Sequence, residues 1–368
     1  MGAQTPKGKL VANLLYQSWR PSVRPRQISE GELSSITTLL LGSGAGALAW
    51  NCIRNSPLSD SPSAIDLQQA FRLHALNASV FEDDIKKVLT LLRSDNVDPV
   101  LIKGWAIARL YPDTALRPYG DIDFCVRQSE YCAAEKACKI PESQRYVVDL
   151  HARFHKVYGL SIEEVFDRAQ VVKLGNAEVR VPGAEDHLRI LSLHMLRHGA
   201  WRPLWLCDLA VALETRPSDF DWGLCLGRNR QRADWIACSI GLAHQLLGAD
   251  VDGTPVAQRA NRLPGWLVSN VLKQWETPFS TAQPPMNHDA PMVDYVRHPR
   301  GLFADLLRRW PNPIEATVYV GGSFNQLPRF PFQIGECIAR TAKFVAALPK
   351  ALRETQGKRP SIPNGQDT

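Results

Sequence analysis

Two aspartates that stand one residue apart in an apolar segment constrain the fold of this chain more than any other feature. The segment Tyr119–Phe124 has the sequence Tyr-Gly-Asp-Ile-Asp-Phe, so Asp121 and Asp123 alternate with apolar residues. Successive side chains of a β-strand point to opposite faces, which places both carboxylates on one face and Ile122 and Phe124 on the buried face. Two carboxylates on one face repel each other unless a cation joins them, and Mg²⁺ accepts such hard oxygen ligands. The segment therefore predicts a metal-binding strand.

A second acidic strand is predicted at residues 145–151, where alternation places Asp149 and His151 on one face. If this strand pairs beside the first, Asp121, Asp123 and Asp149 converge. That arrangement holds two metal ions across a phosphoryl group during in-line displacement. The alternative for these carboxylates is a set of surface acids on strand edges, and for His151 a partly buried structural histidine.

Upstream of the acids, an apolar run at residues 100–102 ends in Lys103 and Gly104. A lysine at the end of a strand is either a surface residue whose stem covers apolar neighbours or a positive charge that binds an anionic ligand. Glycine at the next position indicates a tight turn or a close approach of the backbone to a ligand. Arg117, four residues before Asp121, either binds phosphate or pairs with the aspartates, and the sequence does not separate the two.

Together these segments resemble the nucleotidyltransferase superfamily typified by DNA polymerase β. Within it, they are similar to an uncharacterised bacterial nucleotidyltransferase family with a Lys-Gly motif. The matching segments are Leu101–Gly104, Tyr111-Pro112, Arg117, Asp121–Asp123, Val148–His151, His194 and Trp205–Leu209. The resemblance runs from about residue 10 to about residue 330 and is strongest between 100 and 208.

The resemblance implies an enzyme that moves a nucleoside monophosphate from an NTP to a hydroxyl-bearing acceptor and releases pyrophosphate. Asp121, Asp123 and Asp149 are implied to hold Mg²⁺ or Mn²⁺, and Asp149 also to assist deprotonation of the acceptor hydroxyl. The residues implied to bind the nucleotide are Lys103, Gly104, Arg117, His151, His194 and Asp208. For His194 and Asp208, the alternative is a structural contact that ties two neighbouring helices together. The acceptor, whether a small molecule, a peptide or a protein side chain, is not specified.

One departure from the superfamily pattern leaves a second function open. Gly104 is followed by Trp105, where the superfamily usually has Gly or Ser in contact with the triphosphate. The alternative is a catalytically silent subunit that binds a nucleotide or a partner within a biosynthetic assembly. Three converging aspartates argue against this alternative, because they would repel one another without a metal ion.

Histidines and tryptophans in the C-terminal half are interpreted mainly as structural residues. His187, His194 and His198 share one face of a predicted helix, but they lack the glutamate of the zinc-protease signature. We therefore interpret them as core or hydrogen-bonded histidines instead of metal ligands. The tryptophans interpreted as core residues, in place of a base-stacking surface, are Trp201, Trp205, Trp222 and Trp235.

Composition narrows the class of partner. The 368 residues include 43 basic and 37 acidic side chains without a basic patch interleaved with aromatic residues, which argues against nucleic acid as the partner. Eight cysteines include no C-x-x-C pair. Since neither a signal peptide nor a membrane-spanning apolar stretch is recognised, we expect reduced thiols in a cytoplasmic protein.

The order of predicted elements favours an α+β fold, with a small mixed sheet as the nucleotidyltransferase core. The predicted parts are an N-terminal helical segment at 1–95, the core at 96–183, a helical domain at 184–353 and a disordered tail at 354–368. Within them we expect a helical stretch over 34–53, a hairpin around Gly175, a loop at 277–299 and a basic amphipathic helix at 301–310.

Overall fold

The computed structural model describes residues 5–21, 27–140, 146–278 and 310–357. Within these ranges the chain forms an α+β fold of fifteen helices and five strands, which confirms the predicted fold class. The first helices are α1 (Lys7–Leu15), α2 (Glu30–Gly42), α3 (Gly46–Ile53) and α4 (Pro62–Ser94). No helix in the described ranges is long and apolar enough to cross a membrane.

Local sequence signals explain where these helices begin and end. A capping box at Ser29 begins α2, and α4 begins with Ser61 as its N-cap and Pro62 at its first position. The chain leaves α2 through Gly44, whose φ of +77° is incompatible with a right-handed helix. The stretch 34–53, expected to be helical, is therefore divided between two helices.

Five strands form one mixed sheet in the order β3-β2-β1-β5-β4. The strands are β1 (Val100–Leu101), β2 (Ile122–Cys125), β3 (Val148–His151), β4 (Gln170–Leu174) and β5 (Ala177–Val181). Strand β1 is antiparallel to β2 and parallel to β5, β2 is parallel to β3, and β4 is antiparallel to β5. The β4–β5 hairpin turns at Gly175 with a φ of +60°, as the sequence predicted.

One face of the sheet packs against the C-terminal half of α4. Ile85, Val88 and Leu92 of this helix join Ile122 and Phe124 of β2 in one hydrophobic core. The alternation of β2 therefore buries its apolar face here and turns its polar face to the other side of the sheet. Three short helices lie between the strands: α5 (Trp105–Ala108), α6 (Tyr131–Lys139) and α7 (Ile162–Asp167).

The helices before and after the sheet share a second hydrophobic core. The later helices are α8 (Ala184–Arg197), α9 (Pro203–Glu214), α10 (Trp222–Leu226), α11 (Arg230–Leu247), α12 (Ala257–Ala260), α13 (Gly265–Gln274), α14 (Pro313–Tyr319) and α15 (Phe330–Gly357). Helix α1 packs against α11 and α13, and α8 packs against α9, α11 and α14. Leu14 and Leu196 thus lie in the same buried cluster. The division of the chain into three folded parts and a tail stays a prediction.

Several predictions concern residues at or beyond the described ranges. The basic helix expected at 301–310 and the loop expected at 277–299 fall almost entirely outside them. Helix α15 continues to Gly357, so the first residues of the tail predicted from 354 onward are helical. The rest of that tail, residues 358–368, lies outside the described residues.

Candidate active site

The parallel pairing of β2 with β3 sets the geometry of an acidic cluster. Its register places Asp123 beside Asp149 and Cys125 beside His151. Directly paired residues of adjacent strands point to the same face, so both carboxylates face one side of the sheet. Carboxylate oxygens of Asp123 and Asp149 and a ring nitrogen of His151 lie within 4.8 Å of one another. Among the described residues, this is the cluster that could hold a metal ion.

Asp123 is the buried centre of this acidic cluster, with 3% of its surface exposed. Its Oδ1 atom lies 2.7 Å from Nζ of Lys103 and 3.1 Å from Nε2 of His151. Burial alone would raise the pKa of Asp123, but the His151 hydrogen bond and the Lys103 charge lower it to about 2. Burial likewise acts to lower the pKa of Lys103, but the Asp123 carboxylate raises it above its usual value. At neutral pH the cluster therefore contains a largely buried ion pair.

The other two predicted acids are more accessible. The side chain of Asp149 is 60% exposed, and its Oδ2 lies 3.3 Å from Nε2 of His151. Asp121 immediately precedes β2, is exposed, and lies outside the three-residue cluster. Partial burial of its carboxyl group, then the charge of Asp123, raise the pKa of Asp121. The structure thus groups Asp123 and Asp149 with His151, and places Asp121 next to this group.

Gly104 allows the chain to turn tightly beside the acids. Its φ of +59° and ψ of −115° form a backbone conformation that other residues rarely adopt. A Cβ atom at this position would come within 3.2 Å of the backbone oxygen of Asp121. Just before the turn, the backbone N–H of Ile102 donates to the backbone oxygen of Asp123. This tight turn follows the sequence prediction, and it leaves Lys103 directed at the Asp123 carboxylate.

Trp105 belongs to the hydrophobic core and not to the acidic cluster. Its side chain is 4% exposed and packs with Ile122 and Phe124. Its Nε1 donates to Oε1 of Glu82 on α4 at 3.2 Å. The indole therefore anchors α5 to α4.

Arg117 and Asp208 form a separate, buried ion pair. Nη2 of Arg117 lies 2.8 Å from Oδ2 of Asp208, and Nε lies 3.1 and 3.2 Å from the two carboxylate oxygens. The hydroxyl of Tyr111 donates to Oδ1 of Asp208 at 2.8 Å. Of the alternatives left open for Arg117, the structure shows pairing with a carboxylate, but with one on α9 instead of the acids near β2. The pair ties the segment before β2 to the helical layer.

Near the acids lies a wall of four side chains: Tyr158, His194, Arg197 and Trp205. Nδ1 of His194, on α8, lies 3.3 Å from the hydroxyl of Tyr158, and its ring centroid lies 4.9 Å from that of Trp205. Arg197, one turn further along α8, lies close enough to Tyr158 for its charge to act on the hydroxyl. Burial raises the pKa of Tyr158, while the charges of Arg197 and Lys103 act to lower it. The hydroxyl of Tyr158 therefore lies close to cations from both the wall and the sheet.

Sequence reasoning missed three residues in this region: Tyr158, which interacts with Asp123 and Arg197, then Arg197 itself, and Arg202, which interacts with Asp121. Arg197 follows His194 by three residues, so helical spacing could have placed it on the same face. Tyr158 and Arg202 belong to connecting segments, where no helix or strand period relates a residue to its neighbours.

His187 stands apart from this wall. It is 2% exposed, and its Nε2 atom is buried with no hydrogen-bond partner in the described part of the chain. Burial, then the charges of Arg109 and Arg117, lower the pKa of His187 to about 3. His187, His194 and His198 do not belong to the cluster of possible metal ligands found in the described ranges.

A match to a protein family covers both the acidic cluster and most of the helical wall. Residues 30–248, more than half of the chain, match the family described as uncharacterised nucleotidyltransferase. The chain belongs to this nucleotidyltransferase family. The match supports its assignment as a transferase. No curated protein and no solved structure matches the chain.

Proposed function

We propose that this chain transfers a nucleoside monophosphate from an NTP to a hydroxyl-bearing acceptor, with a divalent cation and with release of pyrophosphate. The observation that carries the proposal is the pair of carboxylates, Asp123 and Asp149, on adjacent parallel strands of a nucleotidyltransferase-family chain. Nucleotidyl transfer requires in-line attack on a phosphoryl group, and converging carboxylates that bind metal ions support such an attack.

The acidic cluster fits a divalent cation such as Mg²⁺ or Mn²⁺. Asp123 and Asp149 offer carboxylate oxygens, which these hard cations prefer, and the two carboxylates lie close enough to share one ion. Asp121, two residues before Asp123, is proposed as a further ligand. When bound, the cation supplies positive charge that stabilises the attacking and leaving oxygens of the displacement.

The other residues of the site have separate tasks in this proposal. Lys103, whose ammonium group reaches into the cluster at Asp123, binds the β- or γ-phosphate of the NTP. Gly104 lets the backbone approach the phosphates closely. Asp149, whose side chain is 60% exposed, takes the proton of the acceptor hydroxyl. His151 orients both carboxylates through contacts of 3.1 and 3.3 Å.

Arg117 and Asp208 enter the proposal as positioning residues, because each is buried against the other. Their pair holds the segment that leads to Asp121 against α9. His194 forms part of the wall that faces the nucleotide, together with Tyr158. The proposal also includes a bacterial origin and a cytoplasmic location. Its acceptor is a small molecule, a peptide or a protein side chain.

The catalytically silent alternative rests on the presence of Trp105 after Gly104. In the fold, the Trp105 indole packs in the core and donates to Glu82. No described contact of the indole involves the acidic cluster. The feature that raised the alternative therefore does not favour it over nucleotidyl transfer.

Calorimetric titration of each NTP, with and without Mg²⁺, tests the proposed function. The wild type is compared with the double variant Asp121→Ala, Asp123→Ala. Glu178→Gln is the control, because it removes an exposed acid of β5, a strand that β1 separates from β2 and β3. We expect metal-dependent binding of one NTP by the wild type and by the control, and its loss in the double variant. If the folded wild type binds no NTP, or the double variant binds as the wild type does, the proposal is wrong.

A further inference from the structure

Arg202 places a positive charge between the α2–α3 turn and the start of α9. Its Nε donates to the backbone oxygen of Ser43 at 2.7 Å. Its guanidinium carbon lies 6.0 Å from the ring centroid of Trp205, which belongs to the wall near the acids. A Cβ atom added to Gly44 would meet Nη2 of Arg202 at 2.6 Å and Cγ of Pro118 at 3.3 Å. The guanidinium is therefore held close to Pro118, at the start of the segment that leads into β2.

The surroundings of Arg202 lack a matching carboxylate. No acidic side chain of the described residues lies within ion-pair distance of it, and the neighbouring Arg117 is itself paired with Asp208. Burial, followed by the charge of Arg117, lowers the pKa of Arg202 to about 10. The carboxylates of Asp208 and Asp121 act to raise the pKa of Arg202, but neither lies within ion-pair distance of its guanidinium. A half-buried guanidinium without a counterion is costly, so an external anion would stabilise it.

His74, whose imidazole is affected by the charge of Arg202, has a ring nitrogen that lacks a hydrogen-bond partner among the described residues. Nδ1 of His74, on α4, is buried and has no hydrogen-bond partner within the described ranges. Burial, then the charge of Arg202, lowers the pKa of His74, so its imidazole is neutral at pH 7. A neutral imidazole can donate from one ring nitrogen to an anion. The Nη groups of Arg202 and Nδ1 of His74 thus make no hydrogen bond within the described residues.

We propose that Arg202 is an anion-binding residue and that its ligand is the phosphate chain of the nucleotide. Nε of Arg202 is used by the backbone of Ser43, which leaves the two Nη groups for paired donation to phosphate oxygens. Pro118, beside this guanidinium, precedes Asp121 by three residues. Arg202 therefore binds the phosphates from the helical side, while Lys103 binds them from the sheet side. The identification of the anion as a nucleotide rests on the proposed function, whereas anion binding by Arg202 does not.

Titration of inorganic tripolyphosphate into the protein, with a chelator present to remove metal ions, tests this proposal. Arg202→Gln removes the charge and keeps a polar side chain. Arg216→Gln is the matched control, because Arg216 at the other end of α9 also lies over a tryptophan, 5.7 Å from the Trp222 ring, and donates to the backbone oxygen of Leu213. We expect Arg202→Gln to weaken tripolyphosphate binding by about tenfold or more, because charge-assisted hydrogen bonds are lost. The control should bind as the wild type does.

Equal binding by Arg202→Gln and the wild type, or no binding by the wild type, would overturn the proposal. If Arg202→Gln does not fold, Arg202→Lys provides the test, since it keeps the charge and loses the planar pair of donors. This variant should bind more weakly than the wild type, and equal binding would count against the proposed contact. Because these titrations contain no metal ion, their outcome is separate from that of metal-dependent NTP binding.

Discussion

Neutralising Asp208 should strongly destabilise this protein, because it leaves the buried guanidinium of Arg117 without a counterion. The change is Asp208→Asn, which keeps the shape of the side chain and removes its charge. Arg117 is 8% exposed and Asp208 is 0% exposed, and N–O contacts of 2.8, 3.1 and 3.2 Å join them. Removing one partner of a buried ion pair costs about 3–5 kcal/mol. Since a native protein is stable by roughly 5–15 kcal/mol, this loss is a large share of the total.

Urea unfolding followed by tryptophan fluorescence measures this loss as a change in the free energy of unfolding. Glu135→Gln is the control, because Glu135 and Lys139 form an exposed pair whose loss costs less than about 1 kcal/mol. The double variant Arg117→Met, Asp208→Leu removes both charges and should recover much of the stability. A loss below about 1 kcal/mol for Asp208→Asn, or a double variant that is no more stable than the single variant, would refute the structural role of the pair.

Three further changes test the buried histidine, the turn and the indole. The fold lowers the pKa of His187 from 6.5 to about 3, so its contribution to stability is complete above pH 6.5 and is lost as the pH falls towards 3. Urea unfolding between pH 7 and 4 should show a smaller pH slope for His187→Leu than for the wild type, by up to about 1.4 kcal/mol per pH unit, and equal slopes would contradict this. Gly104→Ala forces a side chain into a strained conformation near Asp121 and should cost about 1–3 kcal/mol in thermal unfolding, so an unchanged melting temperature would argue against strain. Trp105→Phe loses the hydrogen bond to Glu82, at a cost of about 1 kcal/mol, but should keep NTP binding in calorimetry. Loss of that binding by the folded variant would place the indole at the site.

Structural features that follow from the side-chain repeat of a single strand, or from the residue at a turn, were predictable from the sequence. The alternation of β2 predicted that Ile122 and Phe124 are buried, and both lie in the core beneath α4. Gly175 predicted the hairpin between β4 and β5, because a tight turn between alternating segments favours a residue that accepts a positive φ. Gly44 shows the limit of this reasoning, since the break between α2 and α3 depends on one residue inside an apolar stretch.

Which side chains meet at the site could not be predicted in the same way. The sequence placed His151 on the face of Asp149 and predicted that Asp121, Asp123 and Asp149 converge, whereas the structure groups Asp123, Asp149 and His151 and leaves Asp121 beside them. Trp105 follows the turn at the acids in sequence, but its side chain enters the core on the other face. Both outcomes depend on how strands and helices pack against each other, and the side-chain repeat within one strand or helix does not determine that packing.

The sequence by itself determined where charged and apolar groups lie along each strand and helix, because side-chain direction follows from the backbone period. It thereby identified Asp123, Asp149 and Lys103 as candidate site residues. Only the tertiary structure decided which charges pair, since an ion pair depends on distance in space and not on separation in sequence. Arg117 and Asp208 lie 91 residues apart, yet they form a buried pair, while Arg202 is left without a carboxylate within ion-pair distance among the described residues.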